Sequence, residues 1–158
     1  MNEVILAVDS GTHEAGLAIM EMRKDKPLLI DARQQRLKGS TLQRRLVSLE
    51  IALAGMIELY HPVAIALEDG FAGGFATATI GTAMGRAIVL LVAEHNGLKV
   101  FKYTPKEIKQ TVAKGGASKK QVQDAVRMLT GQQLAEDAAD AVAIGYTYWS
   151  KGGMAIAN

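Results

Sequence analysis

Two short apolar runs each end on an acid, and that pattern narrows the fold more than any other feature of the chain. Residues 3–9 read EVILAVD and residues 63–68 read VAIALE. Continuous apolar stretches of this length suit buried strands, and the second suits a parallel one covered on both faces. A charge at the end of a buried strand is costly unless it is paired or coordinated. In open sheets with parallel strands, ligands gather beyond the strands' carboxyl ends. If the two runs are parallel neighbours, Asp9 and Glu68 meet there.

The remaining segments supply the rest of a sheet and its cover. Residues 15–22 (AGLAIMEM) and 28–37 (LLIDARQQRL) read as strands that follow the first across short turns, which favours an antiparallel meander. Residues 98–103 (LKVFKY) make a fifth strand. Ser40 with Gln43 forms a capping box at the head of a long helix. Leu42, Leu46, Leu49, Leu53, Met56, Ile57 and Tyr60 carry its helical spacing, and Pro62 lies just past its end. Residues 74–96 read as a helix rich in small residues, where Gly81 and Gly85 point to close packing. Thr104 with Glu107, and Ser118 with Gln121, are two further capping boxes, the first with Pro105 at the opening helical position. The Ser118 helix runs to near residue 129, and a last helix spans residues 133–150. The order β-β-β-α-β-α-β-α-α-α predicts an α/β fold: a mixed five-stranded sheet of three antiparallel meander strands plus parallel strands, flanked by helices. No linker or repeat interrupts it, so one domain over residues 1–158 is expected.

Composition removes several chemistries. The chain has no cysteine, which excludes a disulfide framework, a thiolate zinc site and a cysteine nucleophile. His13, His61 and His95 have no metal-ligand spacing with one another. The longest apolar run, residues 87–93, is far too short to cross a membrane, and no signal-peptide pattern opens the chain. The expectation is a soluble cytoplasmic protein with no membrane partner. Net charge is only +2, yet residues 99–127 hold eight Lys/Arg and two Asp/Glu, a net of +6 against −4 for the remainder. A basic segment on a near-neutral chain points to an anionic partner.

The stretch EDAADAVAIG, residues 136–145, adds three more acids. Asp137 and Asp140 are spaced i, i+3 and share a helix face; Glu136 and Asp140, at i, i+4, also share one. Spacing alone does not choose between Glu136 and Asp137. On a helical wheel, Leu134, Ala138, Ala141, Val142, Gly145, Tyr148 and Trp149 centre the buried stripe. Asp137 borders that stripe and Glu136 lies nearly opposite. Tyr146, Tyr148 and Trp149 read as core or interface residues. Asp9, Glu68, Asp137 and Asp140 would make an all-oxygen site suited to Mg²⁺ or Mn²⁺. Two such ions roughly 3.5–4 Å apart activate a water and stabilise a leaving oxygen, the usual equipment for cutting a phosphodiester.

Four motifs then stand in order across nearly the whole chain: Asp9-Ser-Gly in LAVDSGTHEAGLAI, Glu68-Asp-Gly-Phe71 in IALEDGF, IKQTVAKGGASKKQVQ from Ile108, and DAADAVAI from Asp137. With these the chain resembles the RuvC-type Holliday junction resolvases, crossover junction endodeoxyribonucleases of the ribonuclease H-like superfamily. The resemblance implies a ribonuclease H-like sheet and a homodimer that resolves four-way DNA junctions by paired symmetric nicks. It implies Mg²⁺ or Mn²⁺, two ions per active site, and products with a 5′-phosphate and a 3′-hydroxyl. It leaves room for a branch-migration helicase as partner. By motif position it makes Asp9, Glu68, Asp137 and Asp140 the metal ligands, with Asp9 bridging and Asp137 helping to orient the water. Lys119 would offset charge on the scissile phosphate, Lys109 would hold the DNA backbone, and Phe71 would act in opening or stacking at the junction. The chain departs from the family pattern in reading Asp-Ser-Gly where Asp-Pro-Gly is common, and in the loop AGGFATAT after Phe71. Its lysine loop is one residue longer, so Lys119 and Lys120 are both candidates for the active-site lysine and for DNA contact. Alternatives are another ribonuclease H-like nuclease acting on branched DNA or RNA, and a non-catalytic junction-binding protein. VDSGTHEAGLAI also resembles the first phosphate loop of actin-like ATPases, a fold that needs a second domain for which this chain has no room.

Overall fold

The structure is a computed structural model that describes residues 2–70, 76–113 and 116–153, the side chains of residues 76–79 excepted. Five strands, β1 (Val4–Asp9), β2 (Glu14–Glu21), β3 (Leu28–Arg36), β4 (Ala64–Glu68) and β5 (Lys99–Tyr103), form one sheet in the order β3-β2-β1-β4-β5. The pairs β1–β2 and β2–β3 are antiparallel, whereas β1–β4 and β4–β5 are parallel. The expected mixed sheet is thus present, with the acid-ended strands β1 and β4 as central parallel neighbours.

Side-chain alternation along the strands divides the core into two layers. On one face, Leu6, Val8, Leu17, Ile19, Ile65 and Leu67 pack against α1 (Leu42–Tyr60) and α2 (Ala76–His95) through Leu49, Leu53, Met56, Val89 and Val92. On the other, Ile5, Ala7, Ala18, Met20, Ala64 and Ala66 meet α5 (Glu136–Ser150). Outside α5 lie α3 (Pro105–Val112) and α4 (Lys119–Thr130). Each fully buried Leu or Ile contributes about 1.5–3 kcal/mol. The alanines let α5 lie close to the sheet.

Two capping boxes form as the sequence predicts, at Thr104–Glu107 ahead of α3 and at Ser118–Gln121 ahead of α4. The first does not. The cap of α1 is Thr41, whose hydroxyl accepts from the Arg44 amide, and Ser40 is an exposed residue before it. Thr41 is the residue with extended backbone directly before the first helical turn, and that conformation defines a cap. The last helix begins at Glu136 rather than residue 133, because the left-handed Gly131 ends α4 and residues 132–135 remain non-helical. The wheel's one-sided stripe also proves too narrow. Ala139, Ala143, Tyr146 and Thr147 are buried as well, since α3 and α4 cover the side of α5 that faces away from the sheet. Gly81 and Gly85 behave as expected: a Cβ at either would press on Thr12 or the Gly11 carbonyl, so α2 rests directly on the β1–β2 turn.

Candidate active site

The β1–β4 register aligns Val8 with Leu67, so Asp9 and Glu68 stand side by side at the ends of their strands. Val8 and Leu67 face α1 and α2, and alternation therefore turns Asp9 and Glu68 to the α5 face. Asp137 and Asp140 arrive from the first turns of α5. Gly16, paired with Asp9 across β1–β2, clears the way: a Cβ there would collide with the Asp137 carbonyl. Helix α5 has no side-chain cap of its own. Its start is tied to β3 instead, through the Asp137 amide donating to Gln34 Oε1 at 3.2 Å.

One carboxylate oxygen each from Asp9, Asp137 and Asp140 lie within 4.8 Å of one another. Glu68 stands outside that trio but shares its field. Burial pushes the Asp9 carboxyl up to about 7, and the charges of Asp140, Glu68 and Asp137 push the same way against the pull of Lys119. Asp140 is pushed up to about 6 by burial, with Glu136, Glu68 and Asp137 adding to it and Lys119 opposing. Burial raises Glu68 too, against the pull of Arg86, Lys109 and Lys119. Converging acids that resist ionisation are poorly neutralised by the protein itself. The donor set, all hard oxygens with too little positive charge among them, fits a divalent cation such as Mg²⁺ or Mn²⁺.

The lysines separate. Lys119, in the first turn of α4, forms an ion pair with Glu136, and its charge is felt by Asp9, Glu68, Asp137 and Asp140. Among the described residues no such interaction marks Lys120, which is exposed. Glu136 is accordingly more than a solvated charge, since it holds the lysine beside the site. Lys109, half-buried on α3, lies close enough to pull Glu68 down. Phe71 lies outside the described residues.

Three contributors escaped the sequence reading. Burial raises the Asp137 carboxyl, and Glu14, at the start of β2, raises it further by its charge and by a side-chain hydrogen bond. Gln34 Nε2 donates to Glu14 at 2.9 Å, and the Gln34 carbonyl holds the head of α5 as above. Hairpin geometry was the available signal: in an antiparallel pair the start of β2 lies beside the end of β1. Arg86 of α2 donates to the Gly70 carbonyl at 2.9 Å and pairs with Asp69 at 3.7 Å, so it braces the chain directly after Glu68. Its Nε is buried without a partner among the described residues. Nothing in the spacing of residues 74–96 foretold that contact.

Comparison with known proteins identifies the family and the fold. The family profile described as Crossover junction endodeoxyribonuclease RuvC matches residues 5–148. A protein of that name from Desulfitobacterium hafniense is 35% identical over 146 residues, covering 89% of this chain and 88% of the relative. One from Leifsonia xyli is 32% identical over 157 residues, covering 96% and 76%. The solved structure of Thermus thermophilus RuvC in complex with a Holliday junction substrate superimposes with a TM-score of 0.85 over 96% of each chain at 23% identity. A yeast mitochondrial Holliday junction resolvase shares the fold at a TM-score of 0.65, covering 93% of this chain and 77% of that one. The chain belongs to the RuvC family of crossover junction endodeoxyribonucleases, and is by that membership a nuclease.

Proposed function

We propose that this protein resolves four-way DNA junctions by paired, symmetric, metal-dependent hydrolysis of phosphodiester bonds. The observation that carries the reading is the gathering of Asp9, Asp137 and Asp140 at the carboxyl edge of the sheet, with Glu68 beside them and Lys119 at their rim. Asp9, Glu68, Asp137 and Asp140 would hold Mg²⁺ or Mn²⁺, two ions per site. Such ions, when bound, supply an activated water and stabilise the leaving oxygen.

The chain's own groups do the rest. Lys119, steered by Glu136, places positive charge beside the scissile phosphate. Lys109 holds the backbone next to it. Asp137, whose carboxyl burial raises above its ordinary value, would orient the attacking water. The products carry a 5′-phosphate and a 3′-hydroxyl. Phe71, two residues beyond the braced Asp69, acts at the junction opening.

Residues 1–158 act as one nuclease domain in this reading, and two copies make the working unit, one nick each. Ile51 and Leu59 of α1 and Ile80 and Leu91 of α2 are exposed apolar residues available to bury in that dimer. Among the described residues no helix is long and apolar enough to cross a membrane. We place the protein in the cytoplasm with its DNA, where a branch-migration helicase would supply junctions.

The test is direct. Purified protein is incubated with end-labelled mobile and immobile four-way junctions, with duplex and RNA–DNA hybrid controls, in Mg²⁺, in Mn²⁺ and in chelator. Paired nicks on junctions that need a divalent ion, and that vanish in Asp9→Asn while binding persists, are the expected result. Equal cutting of duplex or hybrid, or an Asp9→Asn variant that cuts at the parent rate, overturns the proposal.

A further inference from the structure

Summed over the chain, the positive charge sits in residues 99–127, but the fold assembles a second basic surface elsewhere. Residues 36–45 carry Arg36, Lys38, Arg44 and Arg45 and no acid. Strand β3 ends at Arg36, and Gly39, with φ at 134°, turns the chain into α1. Arg36, Leu37, Gly39 and Arg45 then line a groove of about 560 Å³ together with His13 and Glu14 from the start of β2. Lys38 and Arg44 are exposed on the same short segment.

Among the described residues, Arg23, Arg33, Arg86, Lys102, Lys119 and Lys151 each pair with a carboxylate, and none of Arg36, Lys38, Arg44 and Arg45 does. Arg45 is fixed in place by donating to the Thr12 carbonyl at 2.7 Å. Glu14, the acid within the groove, is held by Gln34 and turned to Asp137. The first turn of α1 carries no acid either, so its N-terminal dipole adds to the positive field. Clustered, unpaired cations repel one another, and an anion placed among them relieves that repulsion.

We infer that this groove binds the phosphate backbone of one DNA arm, on the side of the carboxylate site away from the lysines of α3 and α4. Glu14 fixes the location, since it both lines the groove and reaches Asp137. Lys109 and Lys119 approach from the α5 face, whereas the groove opens between the β2–β3 side of the sheet and the head of α1. The acids therefore lie between two positive walls, which grip a passing backbone on both sides of the scissile bond. Phosphate contacts of this kind position DNA without reading its sequence. The inference rests on the resolvase reading above.

The test compares the salt dependence of junction binding, by fluorescence anisotropy in chelator, for three proteins. These are the parent, the triple variant Arg36→Gln/Lys38→Gln/Arg44→Gln, and a charge-matched triple at the opposite edge of the sheet, Lys24→Gln/Lys26→Gln/Lys99→Gln. Arg45 is left alone because it supports the fold. Each lost phosphate contact flattens the plot of log affinity against log salt by about 0.9, so the groove triple should flatten it by about 2–3 and weaken low-salt binding at least about tenfold. The distal triple should keep the parent slope, and Arg36→Lys/Arg44→Lys should keep it too. A groove triple that melts like the parent and keeps its slope, or a distal triple that loses as much, overturns the inference and leaves the resolvase reading standing. A parent that does not bind four-way junctions overturns the resolvase reading, and the groove inference with it.

Discussion

Replacing Asp9 by Asn should abolish cleavage and yet stabilise the metal-free protein at alkaline pH. The reason lies in the sign of its shift. Burial first, and then the charges of Asp140, Glu68 and Asp137, push the Asp9 carboxyl from an ordinary 3.8 to about 7. A carboxyl raised in the folded state holds its proton there while the unfolded chain has already lost it. Stability then falls as pH rises from about 4 to about 7 and levels off above. A shift of about three units, at about 1.36 kcal/mol each, sets a ceiling near 4 kcal/mol. Water and counter-ions drawn to the ionised cluster relieve most of that cost, leaving about 1–2 kcal/mol. Asn keeps the shape and never ionises. For a chain of this size each kcal/mol moves the melting temperature by about 2–4 °C, so the variant should melt about 2–8 °C above the parent. The assay is thermal unfolding in chelator at pH 8 and pH 5. At pH 5 the folded parent keeps Asp9 protonated while the unfolded chain has largely lost that proton, so the gap should narrow to about a third to a half of its pH 8 size. A variant that melts at or below the parent at pH 8, or whose gain is the same at both pH values, refutes the account of a self-repelling site.

The same logic makes divalent-ion affinity, measured by titration calorimetry, rise between pH 5.5 and pH 7.5 with proton release, because Asp9 and Asp140 must lose protons to bind. Thr41→Ala should cost about 1 kcal/mol in urea unfolding, whereas Ser40→Ala should change stability by less than about 0.5 kcal/mol. Gly16→Ala forces a methyl against the Asp137 carbonyl, so it should destabilise by about 1–3 kcal/mol and cut nicking more than junction binding. Lys119→Ala should slow nicking with little change in junction affinity, while Lys120→Ala should weaken binding alone. Single-turnover rates and anisotropy separate the two.

The fold was legible because its signals are local. Apolar runs marked the strands, Thr104, Pro105 and Ser118 marked two helix starts, and short turns marked the meander. Where two hydroxyls stood adjacent, as at Ser40 and Thr41, pattern alone could not choose, because capping depends on which residue takes the extended backbone. The buried surround of α5 was equally hidden. A wheel records one helix, and α3 and α4, which cover its outer side, come from other parts of the chain.

The candidate site divides along the same line. Sequence by itself singled out Asp9, Glu68, Asp137 and Asp140 as candidates, and preferred Asp137 to Glu136, because strand ends and helical periodicity are properties of contiguous residues. Only the tertiary structure decided what neutralises what. Glu136 with Lys119, Glu14 with Asp137, and Arg86 with Asp69 are products of chain crossings, in which residues apart in sequence meet at one edge of the sheet. Charge acts through space and not along the chain. A segment sum can locate basic runs at residues 36–45 and 99–127, but only the fold shows that Glu14 joins the first of them to the carboxylate site.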